Sequence, residues 1–310
     1  MKNAFVWLSI FGVNLFSFIA LAGKLPQPSD SSSVGTGAQE IKLSAEDLVR
    51  MRCNIKSENT YMAWTGTVYG FIPGQPQKAF FKIEGMSVTK CFKDATGQWK
   101  LSSRELTYYK DPSTGEVINT WLNPITNVIV PVVHVANQLV QFPIAAENKG
   151  SIDEHFVTFS QDVNLTYPNL LASDARFAEF SPQPLYQAFE FFKLSSPADS
   201  FHSSADLLPL SLAWTRQGPW LPWMKMGNQH GMLVYSAEAH KVASFDNLPA
   251  RMKNEIENRL PLFKNAPNCV VVGPNVTSWK YFAVHFDEYL KGAEFPLAAP
   301  INDNECVVAP

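Results

Sequence analysis

The chain has 310 residues, of which 46% are hydrophobic, 17% charged and 13% aromatic, with 22 Phe, 9 Tyr and 8 Trp. Lys plus Arg number 25 and Asp plus Glu 28, a net charge of −3. That balance excludes the basic excess of a nucleic-acid binder and the charge-rich, apolar-poor signature of a disordered chain. Charged residues fall below the roughly 25% of an ordinary soluble domain, so a compact, ring-rich interior is expected. The rings either fill a core or line a pocket.

Lys2 precedes an apolar run over residues 4–22 that closes with Ala20-Leu21-Ala22. Small residues at −3 and −1 predict a signal peptide over 1–22, cut before Gly23, and hence a secreted or secretory-lumen protein. No other run approaches the ~18 apolar residues of a membrane span. Residues 23–40, rich in Ser, Pro and Gly, read as a flexible leader. A single folded domain is expected over 41–310, since no composition break divides it. The sequons Asn164-Leu165-Thr166 and Asn275-Val276-Thr277 predict N-linked glycosylation at Asn164 and Asn275. Cys53, Cys91, Cys269 and Cys306 suggest two disulfides with three possible pairings. Cys53–Cys91 and Cys269–Cys306 are favoured, because each closes a loop within one end of the chain.

Ser44-Ala45-Glu46-Asp47 predicts the start of a short helix. Residues 61–72 alternate, with Met62, Trp64, Gly66, Val68 and Ile72 on one face and Tyr61, Thr65, Thr67, Tyr69 and Phe71 on the other. Strands are expected over 78–84 and 86–93, separated by a bulge or bend at Gly85. Residues 99–109, 116–122, 128–135, 155–163, 186–194, 231–236, 269–272 and 281–286 complete the predicted strands. Asp111-Pro112-Ser113-Thr114-Gly115 and Asn123-Pro124 mark turns. Residues 248–260 read as a helix, and 205–214 is ambiguous. Strands at this spacing predict a mainly β fold, an antiparallel, lipocalin-like (calycin-like) β-barrel with a few short helices. Such a barrel can enclose an apolar small molecule.

Three polar side chains are the candidates for chemistry. His134 is expected on one strand face with Val128, Val130 and Val132, as a proton donor or as a satisfied core histidine. Arg104 shares a face with Leu106 and Tyr108, while Glu105 faces the other way. Arg104 and Tyr108 could bind or protonate a ligand, or close a buried structural contact. Trp64, Trp121, Trp223, His230 and Tyr235 are the expected substrate-binding lining. Trp220-Leu221-Pro222-Trp223-Met224 is expected to form either a lid at the barrel mouth or a plug in its end. No metal, nucleotide or hydrolase signature is present, so neither metal nor cofactor is expected.

Three stretches then carry a resemblance. Arg104-Glu105-Leu106-Thr107-Tyr108-Tyr109-Lys110-Asp111-Pro112-Ser113-Thr114-Gly115-Glu116 reads R-E-x-x-x-Y-x-D-P-x-T-G-E. Trp121-Leu122-Asn123-Pro124 and Val132-Val133-His134-Val135-Ala136-Asn137 follow. Trp64-x-Gly66 and Asn275-x-Thr277-Ser278-Trp279 add to the pattern. Together these resemble a family of exported proteins with no assigned activity, over most of the mature chain. Gln138 departs from it, standing where the family usually carries an acidic residue. The sequence is similar to fungal members that act as hetero-Diels–Alderases in tropolonic sesquiterpenoid (meroterpenoid) biosynthesis. The resemblance implies dehydration of a hydroxymethyl tropolone to an ortho-quinone methide and its [4+2] addition to a humulene-type macrocycle. Water loss needs a proton donor, and the cycloaddition needs two partners held face to face. The alternative expectation is a non-catalytic, lipocalin-like carrier of an apolar molecule; a third is a hydrolase with an unmarked acid pair.

Overall fold

The computed structural model describes residues 37–267, 269 and 275–298. The predicted signal peptide, most of the leader, nearly all of the strand expected over 269–272, and Cys306 with its pairing to Cys269 lie outside the described residues. In chain order the elements are β1 (Gln39–Ser44), α1 (Ala45–Arg52), β2 (Thr60–Phe71), β3 (Lys78–Lys93), β4 (Trp99–Lys110), β5 (Thr120–Leu122), β6 (Ile129–Pro131), β7 (Val135–Pro143), β8 (Glu147–Ile152) and β9 (Phe156–Pro168). They continue with β10 (Leu185–Pro197), α2 (Ala198–Phe201), β11 (Ser211–Gly218), β12 (Met232–Val242), α3 (Ala250–Asn258), α4 (Ser278–Val284) and α5 (Phe286–Leu290). Ten strands form one antiparallel sheet in the order β1-β8-β9-β10-β11-β12-β2-β3-β4-β7, and β5 pairs with β6 apart from it. Among the described residues, no helix is long and apolar enough to cross a membrane.

The sheet is curled into a half-barrel. Three residues, Ile144 to Ala146, join β7 at one edge to β8 beside the other edge. Such a link spans at most about 14 Å, so the sheet must roll round for its two sides to meet there. The Ala45 amide donates to Ala146 O (3.1 Å) and the Ile144 amide to Trp99 O (2.9 Å) at the same end. Closure is not complete, because β1 and β7 do not pair with each other. The open edge of β7 is covered instead: the Val276 amide donates to Leu139 O (2.9 Å), and Asn275 Oδ1 accepts from the Gln141 amide (3.0 Å). Covering an edge in this way removes a template for unwanted pairing.

Strand alternation sorts the side chains into two faces. Met62, Cys91, Leu101, Val157, Leu194, Leu212 and Ala239 come from seven strands, yet they join one apolar cluster with Leu48, Val49 and Met51 of α1. Only the concave side of a rolled sheet lets such distant strands meet, so α1 plugs one end of the barrel. Its start is set by the expected cap: the Asp47 amide donates to Ser44 Oγ and the Ser44 amide to Asp47 Oδ2, a reciprocal capping box. On the convex side, Met252 and Ile256 of α3, with Leu260 and Phe263 after it, join Tyr61, Ala63, Met86, Val88 and Leu106 in one apolar cluster.

Several local expectations change. Residues 78–93 form one continuous strand, and the irregularity is at Phe80, where the register steps from Val68↔Phe81 to Tyr69↔Ala79. Gly85 lies mid-strand because the Trp64 indole occupies the space where its Cβ would be, 2.2 Å from Nε1. Residues 281–286 are helical, and the helices α4 and α5 bury Trp279, Tyr281, Phe282, Phe286 and Tyr289. Ring-rich alternation there reflects an aromatic packing surface rather than a strand. Residues 128–135 do not form one strand: β6 ends at Pro131 and β7 begins at Val135, in separate sheets. The stretch 205–214 turns out to lead into the strand β11.

Cys53 and Cys91 are bonded, as expected, at a sequence separation of 38. The bond fixes the C-terminus of α1 to β3. A Cys53→Ala/Cys91→Ala double variant is expected to lose up to about 4 kcal/mol in the chain-entropy account. Urea unfolding of the oxidised and variant proteins measures the difference.

Candidate functional site

The concave face holds two apolar levels with a polar belt between them. At the end opposite α1, Phe80, Phe81, Trp121, Trp220 and Trp223 form a second plug. Ring centroids of Phe81 lie 5.1 Å from Trp121 and 5.7 Å from Trp223, and Phe80 lies 6.2 Å from Trp220. The bulge at Phe80 lets two consecutive phenylalanines join it. The loop is tied down by Asn123, whose Nδ2 donates to Met224 O (2.9 Å), and by Tyr289, whose hydroxyl donates to Trp223 O (2.9 Å). The Trp220–Met224 segment is therefore a plug rather than a lid. Trp64 and Trp214 are partly buried and are packed against both apolar clusters, which places their indoles between the two plugs.

Between the plugs, register brings charged and polar groups onto the same face. Cross-strand pairs run Asn137↔Glu105, Glu105↔Ser87, Ser87↔Met62 and Met62↔Lys241. A second row runs Val68↔Tyr235, Tyr235↔Arg216 and Arg216↔Glu190. Directly opposed antiparallel residues share a face, so Glu105, Lys241, Arg216 and Glu190 all point inward. Asn137 Nδ2 donates to Glu105 Oε2 (3.1 Å). Burial pushes the Glu105 carboxyl up, against the downward pull of the Asn137 bond, the Arg52 charge and Ser103. Arg52, in the last turn of α1, makes no hydrogen bond or ion pair with any described residue and feels Glu105 only through space. Lys241 Nζ donates to Leu208 O (2.8 Å) and Arg50 O (3.1 Å). Burial, with Arg52 nearby, holds its ammonium well below the ordinary lysine range.

The opposite wall is ordered by Arg216. Its Nε lies 3.3 Å from Glu190 Oε1, its Nη2 donates to the Tyr186 hydroxyl (2.7 Å), and its guanidinium covers the Tyr235 ring at 5.2 Å. The Tyr235 hydroxyl meets the Tyr109 hydroxyl at 3.2 Å. Burial raises the Glu190 carboxyl, which also feels Arg216 and, across the interior, Glu105. Asn137 Oδ1, Thr60 Oγ1 and Ser196 Oγ are buried on this face with no hydrogen-bond partner among the described residues, which is uncommon for buried polar atoms. The Trp214 side chain pulls the Glu190 carboxyl down, against its burial.

The expected catalytic trio lies elsewhere. Arg104, Leu106 and Tyr108 do share a face, but it is the convex one, under α3 and the 261–266 segment. Arg104 donates from Nε to Gln138 O (3.2 Å) and from Nη1 to Asn265 O, clasping that segment to the sheet. With carbonyl partners alone, burial lowers its guanidinium to about 10. The Tyr108 hydroxyl donates to Glu255 Oε2 (3.0 Å), which Arg259 also engages at 2.9 Å. These groups line a small outer cavity of about 160 Å³ with Glu116, Arg251 and Glu294. His134, 1% exposed, sits between β6 and β7, and its Nδ1 accepts from the Tyr109 amide (3.0 Å). Burial, assisted by Arg259 and Arg251, lowers it to about 3, so the ring is neutral at physiological pH.

Of the expected lining, Trp64 and Tyr235 face the belt, Trp121 and Trp223 belong to the plug, and His230 is exposed beyond it. Sequence reasoning named Trp214 only among the tryptophans that line a pocket or fill the core, and it missed Glu105, Asn137, Glu190, Arg216, Arg52 and Lys241. One signal was present: Gly66 and Gly85 flank Trp64, and glycines beside a tryptophan mark the crowded inner face of a curl. Among the described residues, no three His, Cys, Asp or Glu side chains are grouped to hold a metal ion.

The family described as Protein of unknown function (DUF1838) matches residues 57–286. The chain belongs to this family. Among curated proteins, no relative matches it. The matched span supplies both walls of the belt, with Trp64, Glu105, Asn137, Glu190, Trp214 and Arg216. The α1 plug and Arg52 precede it.

The belt generates two expectations. A carboxyl whose folded pKa is raised binds its proton more tightly in the native state. Its stabilising contribution is complete below the unfolded pKa and is lost as pH rises through the folded one. Glu105→Gln removes that loss, so its stability relative to the parent rises with pH, by about 1.4 kcal/mol for each unit of raised pKa. Urea unfolding between pH 4 and 8 measures this, and identical pH profiles for the two proteins contradict it. Gly85→Ala sets a Cβ 2.2 Å from Trp64 Nε1 and 2.5 Å from Leu106 O. It is expected to cost about 1–3 kcal/mol and to shift tryptophan emission as the indole is displaced.

Proposed function

We propose that the polar belt is an acid-catalytic site for an aromatic small molecule, and that its reaction is the cofactor-free hetero-Diels–Alder addition implied by the sequence resemblance. The observation that carries the reading is Glu105. It is an inward carboxyl with a raised pKa, held by Asn137 beside Trp64 and between two apolar plugs. A buried, inward carboxyl whose pKa is raised is suited to general-acid work.

In the proposed reaction Glu105 gives its proton to the hydroxymethyl oxygen, the C–O bond breaks, and water leaves. The ring hydroxyl loses its own proton to the glutamate, leaving a neutral ortho-quinone methide and a restored acid. Arg52, which has no hydrogen bond or ion pair with a described residue, is placed to hold the tropolone oxygens. The heterodiene then adds across the alkene, forming two σ bonds with no proton exchanged. Trp64 and Trp214 keep the two partners stacked, and such positioning is worth at most about 7–11 kcal/mol of barrier. A belt with five ionisable groups argues for chemistry over passive carriage of an apolar ligand, since buried charge is costly unless used or paired.

A second reading is favoured by one specific feature. Glu105 and Glu190 face the same interior from opposite walls, in unlike environments, as an acid and base of glycoside hydrolysis do.

The test incubates the purified protein with a hydroxymethyl tropolone and humulene, and follows adduct yield and stereochemistry. Acceleration over buffer with one dominant stereoisomer is expected. Glu105→Gln is expected to lower the rate by about 10²–10⁴ with little change in KM, while Tyr108→Phe leaves it intact. A rate and isomer ratio equal to buffer alone overturn the cycloaddition. Cleavage of aryl glycosides that requires both Glu105 and Glu190 would install the second reading instead.

A further inference from the structure

On β9 and β10 the outward face departs from the usual rule of apolar inside and polar outside. Phe189 is 37% exposed, Phe191 39% and Leu185 49%. They project from alternate positions of β10, so they form one apolar stripe on the convex surface. Single exposed apolar residues are ordinary, but the adjacent outward rings of Phe189 and Phe191, with Leu185 beyond the exposed Gln187, make a sheet face an aggregation liability. Their cross-strand partners on β9 are Asn164 for Phe189, Asp162 for Phe191 and Pro168 for Leu185. Asn164 and Thr166, the two defining residues of the sequon, are both exposed on that same face.

The two sequons differ in what their amides do. Asn275 is committed to the edge of β7: its Oδ1 accepts from the Gln141 amide (3.0 Å) while its Nδ2 donates to Gln141 O (3.4 Å). A glycan replaces the amide hydrogen cis to Oδ1, the one this paired geometry uses. Asn164 has no such commitment. Its Nδ2 reaches only Asp162 Oδ2, at 3.5 Å.

We propose that Asn164 carries an N-linked glycan whose first N-acetylglucosamine rests on Phe189 and Phe191 and covers the apolar stripe. Directly opposed cross-strand residues have Cβ atoms about 4.5–5.5 Å apart, and the diagonal neighbour is about 7–8 Å away. A sugar ring attached to Asn164 therefore spans both phenyl rings. The apolar C–H face of the sugar meets the negative ring faces, and its hydroxyls present a polar surface to solvent. The assignment rests on the export expected from residues 1–22, and it is independent of any reaction in the interior.

The full chain, expressed with its own leader in a eukaryotic secretory host, tests it. Glycopeptide mass spectrometry is expected to find Asn164 occupied in the secreted protein. Thr166→Ala, which removes the sequon and keeps Asn164, is expected to lower Tm by about 2–4 °C and to raise binding of an apolar dye. In a Phe189→Ser/Phe191→Ser background the same change is expected to do neither, because the glycan has nothing left to cover. Enzymatic trimming of the glycan to its first sugar in the folded protein is expected to keep the protection, and this avoids any folding defect of the variants. An unoccupied Asn164 overturns the proposal. So does a Tm shift that is equal in both backgrounds.

Discussion

The structure depends on one constraint: every second residue of a rolled sheet must share a single interior. A strand offers its side chains alternately to two faces, and the curl makes one of those faces small. Glycine or alanine at Gly66, Gly85 and Ala237 reflects the crowding, since a Cβ on Gly66 would stand 2.6 Å from Ala237 Cβ. The same constraint decides which groups can act together. Glu105 and Glu190 come from strands separated by β3, β2, β12 and β11 in the sheet order, yet Glu190 feels the charge of Glu105. Flattening the sheet would separate them beyond any useful coupling.

Desolvation gives the interior its chemical character. The two plugs exclude water from above and below, and that disfavours the charged forms of Glu105, Glu190 and Lys241. The groups differ in how they are compensated. Glu190 has a direct guanidinium partner in Arg216. Glu105 has the neutral Asn137 amide and Ser103, and a cation acting through space. Lys241 has two carbonyls. Unequal compensation within one belt leaves Glu105 with no cation in direct contact among the described residues, while Glu190 is tied to Arg216. The disulfide takes part in this, because Cys53 directly follows Arg52 and fixes the helix end that carries this cation.

Much of the architecture was legible in the chain. The cap at Ser44, the long strands of the meander and the pairing of Cys53 with Cys91 follow from local chemistry: a short-range capping pattern, period-two alternation and proximity in sequence. What misled was the choice of face. Arg104 and Glu105 are adjacent, so the sequence showed that they point apart, but not which one points inward. That depends on the direction of curl and on where α3 packs, both long-range facts. His134 misled for a similar reason. Its valine neighbours alternate as in a strand, but a break after Pro131 moves it out of the ladder into a tight contact with the Tyr109 amide. The helical 281–286 stretch shows the remaining limit, since dense aromatics at short spacing suit a buried helix face as well as a strand.

The face assignment also reinterprets the chain's low charge. The proposed cycloaddition forms two bonds in one step with little charge to stabilise, so it would ask mostly for shape and for one proton at the right oxygen. In that proposal the proton comes from Glu105, which has no cation in direct contact among the described residues. On the convex face the same alternation binds Arg104 and Tyr108 into the clasp that holds the 261–266 segment and α3 against the sheet. Arg104 and Glu105 thus serve opposite faces of a single strand, one clasping the 261–266 segment to the sheet and the other facing the interior belt.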